Sequence, residues 1–346
     1  MTRLALLTLC FIQFASSAQA ILWFKKDPID RSPTRQTEEA RPIYQKALAF
    51  QRDGKARSAL RAYKQVFAKY PASDFAAQAL YNSGIIYYEQ EKWRKSFTAF
   101  QTILAYHADF PLFNELVGYQ FRIALAQAEG EGVRFLFVFP YKAYNQAVEY
   151  FEVIVGNAPY SDFAPLALMN VALIHQYKGQ TIEAIDALDR LINNYPGSLL
   201  TDDAYLNLAE TFSTLVQGPE YDQGATREAI SYFEDFLILY GENENVQRAE
   251  EGLAEMEDVY ARSKYVIGQY YFEHRRWYEA AEIFFNEAIT TAPESDAANE
   301  ARKQIERIAA IRENRAPDPA ISRSADDQAK EQSFINRLLK RIIPGK

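Results

Sequence analysis

Small and apolar residues recur along this chain at three- and four-residue intervals, the spacing that gathers side chains on one face of an α-helix, and short polar breaks separate the runs. The breaks repeat. Pro71-Ala72-Ser73 is followed by Ala79, Pro159-Tyr160-Ser161 by Ala167, Pro196-Gly197-Ser198 by Ala204, and Pro293-Glu294-Ser295 by Ala301, so the pattern P-x-S-x5-A occurs four times. Proline cannot continue the helix before it, serine is expected to cap the helix after it, and alanine suits a face where two helices approach closely.

The runs between the breaks share an order of small and large residues. Leu168, Ala172, His175, Ala184, Leu188, Leu191 and Pro196 follow the order seen in Ala47, Phe50, Ala59, Tyr63, Val66 and Pro71. This is the signature of a tetratricopeptide repeat, a unit of about 34 residues holding two antiparallel helices. Gly84, Tyr87, Ser96, Phe100 and Ile103 make a second unit, closed late by Pro111. A third runs from Ala124 to Ala147, Phe151 and Pro159, with 23 residues between its two small positions where the regular units have 12. A fifth carries Ala209, Phe212, Ala229 and Phe233, with an expected loop from Gln217-Gly218-Pro219 to Gln223-Gly224. The sixth carries Gly268, Tyr271, Ala280 and Phe284 after a long helical stretch from about Val246. The expected fold class is therefore all-α: a tetratricopeptide-repeat solenoid of about six helix pairs over residues 40–311, each pair burying its apolar face on its neighbours.

The ends read differently. Residues 1–20 have the form of an export signal, with Arg3, an apolar run from Leu4 to Phe14 and a small-residue cleavage site at Ala18-Gln19-Ala20. Leu7-Thr8-Leu9-Cys10 also has the outline of a lipidation box, but only nine residues precede the cysteine, which favours cleavage after Ala20. Residues 21–39 read as an N-terminal linker and 312–331 as a flexible linker. Residues 332–346 form a basic amphipathic helix by spacing: Phe334, Ile335, Leu338 and Ile342 share one face, with Arg337, Lys340 and Arg341 beside them. Such a helix suits an anionic membrane surface, a groove of its own chain or a groove of a partner.

Charge narrows the functional classes. The chain has 38 basic and 46 acidic residues, a net −8, and its first and last 35 residues carry +3 each, which leaves −14 for the repeats. Nucleic acid is a poor partner for such a surface. The lone cysteine and three scattered histidines offer no cysteine-based site, and no Gly-rich phosphate loop, H-E-x-x-H or nucleophile elbow is present. No cofactor, metal, small-molecule substrate or catalytic residue is expected, and the chain reads as a binder of proteins.

Candidate contact residues come from the repeat register. Tyr44, Tyr81, Asn82, Tyr88, Met169, Asn170, Leu173 and Asn207 fall on first helices, where a solenoid presents its inner surface. The asparagines could bond a partner's backbone or a neighbouring helix. The insertion around Phe135, Phe137 and Phe139 is apolar enough to need cover, from its own solenoid or from a partner.

Two stretches resemble a known family. Ala56 to Ser73 with Phe75-Ala76-Ala77-Gln78-Ala79 resembles the BamD (YfiO/ComL) tetratricopeptide lipoproteins, and Gly268-Gln269-Tyr270-Tyr271 with Trp277-Tyr278-Glu279-Ala280-Ala281 is similar to that family's final repeat. That resemblance implies a periplasmic scaffold at the inner face of the outer membrane. It would hold a β-barrel assembly protein and have no reaction of its own. The alternative is a periplasmic adaptor of the Tol-Pal or cell-division coordinator type, which shares the Tyr-Pro-x-Ser junction.

Overall fold

The computed structural model of the chain describes residues 32–107, 109–130 and 143–314. The export signal, most of the N-terminal linker, the insertion with Phe135, Phe137 and Phe139, and the C-terminal linker and basic helix (Phe334, Ile335, Arg337, Leu338, Lys340, Arg341, Ile342) lie outside the described residues.

Thirteen helices make up the regular structure among the described residues, paired as α1 (Pro33–Arg52) with α2 (Ala56–Lys69), α3 (Asp74–Glu89) with α4 (Trp93–Tyr106), and α5 (Phe113–Glu129) with α6 (Tyr144–Asn157). Then come α7 (Phe163–Tyr177) with α8 (Thr181–Asn194), α9 (Thr201–Ser213) with α10 (Gly224–Leu239), and α11 (Val246–Tyr270) with α12 (Tyr278–Thr291). A single helix, α13 (Asp296–Asn314), follows. The fold is the expected tetratricopeptide-repeat solenoid of six helix pairs. It divides into two compact units, Met1–Ala204 and Tyr205–Lys346.

In the first unit, Ala40, Ala47, Ala59, Tyr63 and Val66 form the core under α1 and α2. Helix α1 starts at Pro33, seven residues before the expected solenoid start, because its first turns have structural partners. Gln36 Oε1 accepts from the Ala72 amide (3.1 Å) and Thr37 Oγ1 from the Asp74 amide (3.1 Å), so α1 caps the next repeat. In the second unit, Phe233, Phe236, Ala249 and Met256 pack α10 against α11, and Tyr265, Phe285 and Ala288 pack α11 against α12.

The junctions between repeats share one backbone geometry. Tyr70, His107, Ala158, Tyr195, Tyr240 and Ala292 end their helices with φ between −129° and −138° and ψ between 37° and 85°. The serine of the repeated pattern does something other than the expected helix capping. At Ser73, Ser161 and Ser295 the hydroxyl donates back to the carbonyl three residues earlier (Tyr70, Ala158, Ala292; 2.7–2.8 Å). It therefore ties off the preceding helix, and only Ser295 also accepts from the following helix, at the Ala298 amide (3.0 Å). In the fourth repeat Thr201 takes the backward role, donating to Tyr195 O at 2.9 Å.

Within repeats the tight turn needs one left-handed residue, supplied by Gly54 (φ 70°) and Gly179 (φ 68°) but also by Glu91 (φ 53°) and Arg276 (φ 50°). A side chain in this region is strained. Gly179→Ala should lose about 1 kcal/mol of stability and Glu91→Gly should gain somewhat less, read from urea midpoints.

The last repeat departs from the expected register. Elsewhere the turn closes with an amide bonding five residues back: Lys55 to Phe50, Lys92 to Tyr87, Gln180 to His175. Here Trp277 bonds six back, to Tyr271, because Tyr271–Arg275 forms a π-helical turn that holds one extra residue. Ala281 and Phe285 thus take the fully buried places, with no exposed surface, while the expected Ala280 and Phe284 stay in the core at 6% exposed each.

Candidate partner-binding surface

The first helices of the first unit are joined by polar groups that the sequence placed on a contact surface. Tyr44 of α1 is buried, stacks on Phe75 at 4.8 Å, donates its hydroxyl to Gln78 Oε1 (2.9 Å) and accepts from Asn82 Nδ2 (3.1 Å). Burial holds that phenol protonated well past neutral pH, against a smaller opposing pull from Asn82. Tyr81 donates to Glu115 Oε1 of α5 at 2.6 Å. Its hydroxyl also titrates above its ordinary range, from burial first and then from the Glu115 carboxylate.

Two assigned positions are therefore core rather than surface. Tyr44 and Met169 are 7% and 8% exposed, Tyr44 being enclosed by Phe75 and Asn82 of the next repeat. Of the asparagines, Asn82 bonds across helices, and Asn170 donates to Leu166 O within α7 (2.8 Å). Tyr81, Asn82, Tyr88, Asn170 and Asn207 are half-buried, and Leu173 is exposed.

The structure adds residues the repeat register did not single out. Tyr88 of α3 lies edge-on to Tyr119 of α5 at 5.0 Å, and the exposed Arg122 guanidinium stacks over Tyr119 at 4.3 Å and approaches Tyr88 at 5.9 Å. A planar cation between two phenol rings offers the side-chain types that dominate protein interfaces. On α7 and α8, Leu173, Tyr177 and Ile182 are exposed together, and Tyr177 packs on Tyr144 at 5.1 Å. The spacing from Leu173 to Tyr177 was the available signal, since it puts both on one helical face.

Neighbouring repeats are also tied by charged pairs. Arg190 of α8 binds Glu152 of α6 through both nitrogens (2.8 and 2.7 Å), Arg248 of α11 binds Glu210 of α9 (2.6 Å), and Arg262 of α11 binds Glu300 of α13 (2.7 Å).

A family model described as YfiO, outer membrane lipoprotein, matches residues 138–315, just over half of the chain. The chain belongs to the YfiO family. A tetratricopeptide-repeat model also matches residues 44–111. Among curated proteins, this YfiO-family chain is 27% identical over 131 residues to the outer membrane protein assembly factor BamD of Caulobacter vibrioides, a match covering 38% of this chain and 43% of that protein. The chain thus spans less than half the length of that relative. Solved structures it is similar to include YrrB, titled a TPR protein with an unusual peptide-binding site (15% identity, 64% of this chain and 98% of that chain, TM-score 0.32). Another is the C-terminal part of a TPR repeat-containing protein of Cytophaga hutchinsonii (14% identity, 84% and 92%, TM-score 0.32). No helix among the described residues of the YfiO-family chain is long and apolar enough to cross a membrane.

Proposed function

We propose that this chain is a non-enzymatic, exported scaffold that binds protein partners at the inner face of the outer membrane during assembly of outer-membrane β-barrel proteins. The observation that carries this reading is the YfiO family match over residues 138–315. It is supported by the similarity to BamD of Caulobacter vibrioides, an outer membrane protein assembly factor. The repeat architecture supports a binding role, because stacked helix pairs expose long surfaces without building a reaction centre. In this reading Tyr81, Asn82, Tyr88, Asn170 and Leu173, with Arg122 and Tyr177, meet a partner on the first unit, Asn207 meets one on the second, and Phe135, Phe137 and Phe139 add an apolar contact.

The test is an in-cell photocrosslink from Leu173 or Tyr177, followed by mass spectrometry of the captured proteins and of the N-terminus of the chain. Capture of an outer-membrane β-barrel assembly protein is the expected result, with Tyr88→Ala/Arg122→Ala lowering the yield about tenfold if that cluster is a hot spot. Capture of Tol-Pal or division proteins alone would overturn the assembly reading and leave the adaptor. The N-terminal mass distinguishes cleavage after Ala20 from lipidation at Cys10.

A further inference from the structure

The second unit carries a strip of acid and exposed hydrophobe that its own helices leave unmatched. On α10, Glu234 and Asp235 are exposed, and one turn further Ile238 and Leu239 stand 79% and 57% exposed. Helix α11 brings Glu257 close to Glu234, with Asp258 beside it. None of these four carboxylates has a cationic partner among the described residues, and residues 224–270 hold ten acidic against four basic side chains. The Glu257 carboxyl titrates above its ordinary range, from burial first and then from repulsion by Glu234 and Asp258. The strip would be relieved by positive charge.

The same unit ends in a segment of the opposite character. Residues 332–346 contain four basic and no acidic side chains, and their spacing puts Phe334, Ile335, Leu338 and Ile342 on one helical face. The geometry of the chain's exit limits where this segment can go. Arg307 of α13 lies over Phe272 at 5.3 Å, and Arg312 pairs with Glu282 at 2.9 Å, so the chain leaves α13 beside the C-terminal end of α11. That end carries charges of both signs, with Glu273, Arg275 and Arg276 exposed and Arg312 already paired with Glu282, and so offers no unmatched acidic surface to a basic segment. Glu257 lies 13 residues back along α11, about 20 Å at helical rise. The 20 residues from Asn314 to Phe334 have a flexible reach of about 25 Å, so the span and the tether match.

We propose that the basic amphipathic C-terminal segment folds back onto the α10–α11 strip, setting its apolar face on Ile238 and Leu239 and its cations against Glu234 and Glu257. The occupant of this surface is the chain itself.

Cysteine trapping in the full chain tests this, in a Cys10→Ser background that removes the one native thiol. Asn336→Cys is paired with Ser231→Cys, which lies on the Glu234 side of α10, or with the control Asn286→Cys, which is exposed on α12 close to the point of exit. None of the three replaces a proposed contact or a core residue. The expected result is an intramolecular 231–336 disulfide formed at least tenfold faster than 286–336, with the difference lost in Ile238→Glu or Glu234→Lys/Glu257→Lys. Equal rates at both sites would mean an untethered tail and overturn the proposal. So would a disulfide between two copies, or a segment protected only on addition of phosphatidylglycerol vesicles, the signature of a membrane contact. None of these results depends on which partner the scaffold binds.

Discussion

Gly268→Ala is expected to destabilise the second unit by about 2–3 kcal/mol, a cost in the range of core overpacking. A Cβ built on Gly268 would stand 2.7 Å from two atoms of the Phe285 ring and 3.3 Å from the Ala281 carbonyl oxygen. The ring has no exposed surface into which to move, and the carbonyl belongs to a helical backbone. Replacing glycine by alanine in a helix gains about 1 kcal/mol of intrinsic propensity, which the clash outweighs. Urea unfolding would measure the loss, and Phe285→Leu should recover part of it by vacating the ring edge. Gly156→Ala is the control: it is exposed in α6 with nothing within 4 Å of the new Cβ, and should leave stability unchanged or slightly raised.

Glu287→Gln should cost about 2–3 kcal/mol, whereas Lys264→Met should be close to neutral. Lys264 is buried in α11, with its ammonium 4.9 Å from the Tyr260 ring centroid and 2.7 Å from Glu287 Oε2, off the direction of a hydrogen bond. Deleting the carboxylate's charge leaves the buried ammonium facing a neutral amide and ring faces, with no counter-ion. Replacing the lysine by an unbranched apolar residue of similar length frees Glu287, a third exposed, to turn toward water. The double variant should resemble Lys264→Met alone. Equal losses for both single variants would show that the pair itself, rather than the isolated charge, sets the energy.

The helix pairs were legible because their determinants are local. A small residue, a large residue and a Pro-x-Ser break at fixed spacing need no distant partner to be read. What escaped depends on contacts between repeats or on small local departures in the backbone. Tyr44 has the register of a surface residue, yet Phe75 and Asn82 of the next repeat enclose it. Ser73 looks like a helix cap because serine favours that position, but the carbonyl of Tyr70 is left without a helical partner and takes the hydroxyl first. The shift from Phe284 to Phe285 follows from one additional residue in a turn, which no periodicity argument detects when apolar residues occupy both registers. Arg122, the residue that turns Tyr88 and Tyr119 into a compact cluster, carried no motif at all. Candidate site residues are harder to read than core residues for the same reason: exposure is decided by the neighbour's side chain, not by the residue's own place in the repeat.

The bidentate and half-exposed arginine–glutamate pairs each join two adjacent repeats, across 38 residues, and none closes a single repeat. Their energy is modest and screened by salt, so they add little to whether a repeat is folded. They bridge neighbouring repeats, and a small restoring force between stacked repeats contributes to stiffness. Raising the ionic strength should therefore make each unit more compliant along its length while leaving its melting point nearly fixed, a difference that force spectroscopy separates from calorimetry.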